Sequence, residues 1–307
     1  MINPSNEKVP VFQSRCIVFN SRNLRRTLKL AAAGLAILAM ASLPAAGQRG
    51  GGGGGRHSSP DDAEYHDEVN KGVEAYKSSH LDEAIRHFQR AVQLEPNLPL
   101  AKRYLGTALA QKVVFGVDTP ANLQIAQQAI RIFQDLLQIA PHDVYTIQQI
   151  AGIEFKIGKL DDAKMMQKRL LAENPKDPDA ALKIGVIDLL QAHRNALAAL
   201  KAAGIADDGM GNAKAPAAVK ESIRAQNGAL VEEALLYLNQ AVENRSEFVD
   251  AMDSLNYAYK TKADLDFANE AARLDDMAKA DEWRNKAFAE RKANEAKKAA
   301  GAEAAKP

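Results

Sequence analysis

From about residue 61 to residue 290 the chain spaces its apolar residues three and four apart, and the same helical unit keeps returning. That spacing lays one apolar stripe along each helix and excludes a sheet, whose side chains alternate with a period of two. In the first unit Asp82, Glu83, Ala84 and Ile85 lead into Phe88, Ala91, Val92 and Leu94, one face of a helix that Pro96 ends. Ahead of it, Val69, Gly72, Val73, Ala75 and Tyr76 form the face of a shorter helix, and Ser78, Ser79 and His80 supply the turn. One such pair buries little by itself, so a chain of them must stack.

The positions of the small and bulky residues resemble the tetratricopeptide repeat, a unit of 34 residues with a small residue at position 8, bulky residues near 11 and 12, Ala at 20, an aromatic at 24, Ala at 27 and Pro at 32. Residues 65–98 supply Gly72, Tyr76, Ala84, Phe88, Ala91 and Pro96 at those places. A second unit, 99–143, has Leu105, Gly106, Ala129, Phe133 and Pro141 in step but carries eleven extra residues between its helices. The third, 144–177, has standard length, with Ile150, Ala151, Phe155, Gly158, Ala163, Leu170 and Pro175. The fourth, 178–247, opens with a helix over residues 179–195 that holds Ile184 and Gly185. Its partner over residues 231–244 holds Ala234, Leu238 and Ala241. The fifth, 248–290, has Leu255 and Tyr259, then a second helix around Phe267 to Met277 running on to Trp283 and Phe288. The resemblance implies an all-α fold: a right-handed solenoid of about five antiparallel helix pairs with insertions in repeats 2 and 4. Gly72 and Ala84 are expected to let paired helices approach closely while Phe88 fills the gap to the next repeat.

Before the repeats the composition changes. Residues 1–47 hold Lys8, Arg15, Arg22, Arg25, Arg26 and Lys29 against Glu7 alone, which leaves the rest of the chain at −4. A mildly acidic body has no dense basic face for phosphates, so nucleic acid is not an expected partner. The basic stretch Arg25, Arg26, Thr27, Leu28 and Lys29 precedes an apolar run over residues 30–43, and Pro44, Ala45, Ala46 and Gly47 follow. That order is the plan of a secretory signal peptide, with cleavage expected near Ala46 or Gly47. The run is shorter than the roughly 20 residues that cross a bilayer, so an uncleaved anchor is the weaker alternative. Cys16, the only cysteine, lies inside this leader, and its loss would leave a mature chain without thiol or disulfide chemistry. Residues 48–60 include six glycines, from Gly50 to Gly55, and read as a disordered linker. Residues 291–307, rich in Ala, Lys and Glu, read as a fraying helix or disordered tail.

Catalytic constellations are scarce. His80, Glu83 and His87 fall on successive turns, but they lie at outward or turn positions with no two further ligands in sight, so they read as solvated surface. Gly209 and Gly211 follow no strand and do not make a nucleotide loop, and Asp207 and Asp208 lack the later ligands of a calcium loop. No catalytic residue, metal site or cofactor is expected, and the chain reads as a non-enzyme.

The resemblance implies a partner site. First helices of the pairs line the concave face, which receives an extended peptide or a helix. Carried over by position, the groove would present Val69, Asn70, Val73, Tyr76 and Lys77, then Arg103, Tyr104, Thr107 and Gln111, then Gln148, Gln149, Phe155 and Lys156. Amide, basic and aromatic groups suit backbone hydrogen bonds with one or two buried anchors, although Tyr104 and Phe155 could equally be packing between helices. Chaperone-binding members clamp a terminal carboxylate with Lys and Asn at positions 5 and 9 of the first repeat; this chain has Val69 and Val73 there. The two insertions, near residues 113–120 and 202–227, interrupt the same kind of turn and should share one edge of the stack. Val113, Val114 and Phe115 would be the apolar part of a second contact surface on that edge, or simply extend a packed helix. The expected function is a non-catalytic scaffold of the bacterial envelope, periplasmic or secreted, that binds a protein or peptide. The competing readings are a membrane-anchored assembly factor that keeps its leader, and the substrate-binding lobe of an enzyme complex.

Overall fold

The computed structural model describes residues 60–304 except residue 210, and the expected leader, most of the glycine-rich linker and Cys16 lie outside them. Ten helices and no strand occur among the described residues: α1 (Pro60–Lys77), α2 (Leu81–Leu94), α3 (Pro99–Lys112), α4 (Pro120–Ile139), α5 (Val144–Lys156), α6 (Leu160–Glu173), α7 (Pro178–Ala202), α8 (Ala217–Asn244), α9 (Val249–Leu265) and α10 (Glu270–Ala304). Each packs on the next, giving five antiparallel pairs stacked in chain order.

Local chemistry sets the boundaries. Pro99, Pro120 and Pro178 open α3, α4 and α7, where a missing N–H costs nothing. Asp177 accepts from the Asp179 and Ala180 amides at the start of α7. One turn closes each of the first four repeats: Leu98, Asp143, Asp177 and Phe248 donate their amides to the carbonyls of Glu95, Ala140, Asn174 and Arg245 at 3.0–3.2 Å. The tight turn inside the third repeat places Gly158 at φ +78, with Lys159 N–H bonded to the Glu154 carbonyl, a C-cap that favours glycine.

Close approach within a pair rests on a glycine facing a large side chain. A Cβ on Gly72 would lie 2.5 Å from the Phe88 ring, on Gly106 2.9 Å from the Phe133 ring, and on Gly185 2.6 Å from Leu238 Cγ. Phe88, Phe133 and Leu238 are fully buried. Phe88 also stacks on Tyr104 of the next repeat, with centroids 5.2 Å apart. The third repeat departs from this scheme. Its small residue is Ala151, and the residue at the place of Phe88 and Phe133 is Gln167.

The core divides at the same point. One apolar cluster runs from Tyr65 to Ile153 through the first three repeats, and a second fills the last two. Only two small groups lie between them: Ile147, Leu170 and Ala180, and Leu160, Ala163 and Ile187. First helices approach each other at α1–α3, α3–α5 and α7–α9 and less closely at α5–α7, where Phe155 packs with Ile187. Polar groups join these apolar contacts at the junction. Lys164 meets Asp188 at 2.6 Å and Glu233 at 3.1 Å, Lys168 meets Glu233 at 2.5 Å, and Gln191 donates to Asp161.

Several expectations need correcting. The insertion of the fourth repeat is partly helix: α7 runs on to Ala202 and α8 begins at Ala217. Asn227, expected in that insertion, is buried; it donates to the Ala192 carbonyl at 2.7 Å and accepts from Asn195, stapling the two extensions. Of the two states expected for the C-terminal tail, the chain adopts the helical one through Ala304. In the second insertion Val113 is buried at 3% exposure, so it cannot belong to a contact surface. Phe115 leans on Phe155 with centroids 5.7 Å apart, and Gly116 N–H bonds the Lys156 carbonyl. Asn122 holds this segment by three bonds to the backbone of Val114 and Val117. Only Val114 of the three stands out, at 55% exposure.

Candidate functional site

Gln167 lines an opening among the described residues. It is a groove of about 840 Å³, open to solvent, floored by α5 and walled by α3 and α7. Helix α1 contributes Tyr76 and α3 contributes Thr107 and Gln111. Helix α5 adds Gln148, Gln149, Gly152, Phe155 and Lys156, and α7 adds Leu182, Lys183, Val186 and Ile187. Gln167 is the one lining residue from a second helix. First helices line it because the stack curves with them on the inside.

Its chemistry is mixed. Ile153, Leu182, Val186 and Ile187 form an apolar wall, while Gln148, Gln149 and Gln111 supply amides that can pair with an extended backbone. Thr107 and the Tyr145 hydroxyl share a 2.6 Å hydrogen bond beside it. Gln167 is buried, and its side-chain oxygen has no hydrogen-bond partner among the described residues. Such an atom loses its water without replacement, which costs stability. Lys156 donates to the Ala110 carbonyl at 2.8 Å, and burial pushes its ammonium below the usual lysine range. Burial pushes Lys183 down in the same direction, with Asp179 and Asp177 opposing.

Seven residues expected in the groove do meet there: Tyr76, Thr107, Gln111, Gln148, Gln149, Phe155 and Lys156. Others do not. Asn70 is exposed on α1 away from the opening, and Val69 is core. Tyr104 is spent on its stack with Phe88. Arg103 is held by Asp143 at 2.9 Å and lies over the Tyr145 ring, so it braces the second repeat against the third. The groove's fourth-repeat wall was missed, although continuing the same positional reading into that repeat picks out Leu182, Lys183 and Val186. His87 pairs with Glu68 at 2.7 Å, and no group of three metal-ligating side chains occurs among the described residues.

A helix-pair stack with an open groove on its inner face defines the class: the chain has the tetratricopeptide-repeat fold. A solved MamA RS-1 double mutant superposes on it with a TM-score of 0.51 at 16% identity, over 76% of this chain and 97% of that one. Residues 41 to the end of MamA from Desulfovibrio magneticus RS-1 align with a TM-score of 0.49 at 16% identity, over 75% and 96%. YrrB, described as a TPR protein with an unusual peptide-binding site, aligns at 0.43 and 13% identity, over 76% and 99%. At these identities the likeness is one of fold. No protein-family model and no curated protein matches the sequence.

Proposed function

We propose that this protein is a non-catalytic scaffold of the bacterial envelope that holds an extended segment of a partner protein in the groove between α3, α5 and α7. The observation that carries the reading is the groove itself: first helices of four successive repeats converge on one opening lined by amides and apolar side chains. Such a surface suits binding along a backbone, with side chains anchored beside it. Export to the periplasm or beyond rests on residues 25–47 of the sequence alone, where a basic segment, an apolar run and small residues follow in order. No helix among the described residues is long and apolar enough to cross a membrane.

The test is photo-crosslinking in the producing cell. A photoreactive residue at position 148, on the groove floor, should give a discrete adduct with a partner protein. The same residue at position 236, where Leu236 is 65% exposed on the second-helix face, should not. Adducts from position 236 with none from position 148 would overturn the reading.

A further inference from the structure

The groove's charge is one-sided. Lys156 and Lys183 are the charged residues that line it, and no carboxylate does. Neither ammonium has an ion-pair partner among the described residues. Lys156 is bonded only to a neutral carbonyl. The acids nearest Lys183 are committed elsewhere, since Asp179 pairs with Arg245 at 2.7 Å and Asp177 caps α7. Arg103, on the adjoining wall, is matched by Asp143. Two positive charges are thus partly stripped of water inside a chain whose body is acidic overall. Buried charges without counter-charges are costly, and an incoming carboxylate recovers that cost. Beside them, Leu182, Val186, Ile187 and Ile153 line an apolar volume that Gln167 also lines, at the place where two other repeats have phenylalanine.

We propose that the groove selects a peptide segment carrying a side-chain carboxylate next to a large apolar residue, the carboxylate meeting Lys183 or Lys156 and the apolar side chain entering the gap between α5 and α7. This rests on the reading of the groove as a partner site and adds the chemistry of the partner. The clamp lies in the third and fourth repeats, away from Val69 and Val73.

The test pans the full chain with a random peptide display library. A parallel selection uses a blocked variant, Ala151→Gly with Gln167→Phe, which restores the glycine–phenylalanine pair of the first two repeats and fills the gap. Selected peptides are then synthesised with amidated C-termini, each with an isosteric analogue in which Asp is Asn and Glu is Gln. The expected result is enrichment, on the native chain only, of peptides with an acid beside an apolar residue. The isostere should bind about tenfold more weakly, affinity should fall with added salt, and Lys156→Gln with Lys183→Gln should bind acid and isostere alike. If peptides are selected that the blocked variant does not bind, yet acid and isostere bind the native chain equally, the carboxylate preference is wrong while the groove still binds peptides. If native and blocked chains select the same peptides or none, the groove reading fails and the preference falls with it.

Discussion

Replacing Gly185 with alanine tests how the fourth pair is held together. An added Cβ would lie 2.6 Å from Leu238 Cγ, 2.9 Å from Leu238 Cδ2 and 3.1 Å from the Ala234 carbonyl oxygen. Carbon–carbon contacts are comfortable at about 3.5–4.0 Å, so Leu238 would have to retreat by about 1 Å. It is fully buried, and the Ala234 carbonyl belongs to the backbone of α8, so the whole helix must move. Overpacking of this kind costs about 1–3 kcal/mol, against which alanine recovers about 1 kcal/mol of helix propensity over glycine. A net loss of up to about 2 kcal/mol follows, at most a few degrees in melting temperature for a chain of this size. Gly228 in α8 is the control, because a Cβ there meets nothing within 4 Å. Gly228→Ala should therefore stabilise, by up to about 1 kcal/mol. Urea titration followed by far-ultraviolet circular dichroism measures both. A midpoint for Gly185→Ala equal to or above that of the native chain would refute the packing argument.

Further expectations follow from the polar junction and the second insertion. Burial pushes the Glu154 carboxyl up to about 7, helped by Asp162 and opposed by Lys159. Desolvation likewise lifts Asp188 to about 6 against the pull of Lys164. An acid raised in the folded state binds more protons there than in the unfolded chain, so its contribution is full below the unfolded value near 4 and is lost as pH rises through 6–7. Urea midpoints should thus be higher at pH 5 than at pH 8, and Glu154→Gln should flatten that dependence by on the order of 1–3 kcal/mol; an unchanged slope would count against it. Asn122→Ala removes three hydrogen bonds that hold the second insertion and should cost about 2 kcal/mol in the same titration. Mass spectrometry of the protein recovered from its own cells should give an N-terminus at or next to residue 47, whereas a chain retaining residues 25–43 would point to a membrane anchor.

The repeat scheme was legible because its determinants are local and discrete. Gly72, Gly106 and Gly185 are small where a large side chain must pass close by, and Phe88, Phe133 and Leu238 occupy the facing places. The extended fourth pair was harder to read. Residues 196–202 and 217–230 are rich in helix-forming alanine, but what joins them, Asn227 meeting Ala192 and Asn195, links positions more than thirty apart and leaves no local signal. Tyr104 and Arg103 have inner-face positions in the repeat but are taken up by neighbours, Phe88 of the preceding repeat and Asp143 with Tyr145, while Val113, expected on the insertion edge, is buried. The groove was read correctly in its third-repeat residues and stopped one repeat short. What makes it a groove, Gln167 in the place of an aromatic, is visible in the sequence only as a departure from the pattern.

The exchange at that place bears most directly on the central claim. Full-length chains carrying Ala151→Gly with Gln167→Phe should unfold at the same urea concentration as the native chain or higher, and should lose the partner adduct formed from position 148. An equally stable variant that still forms the adduct in full would contradict it.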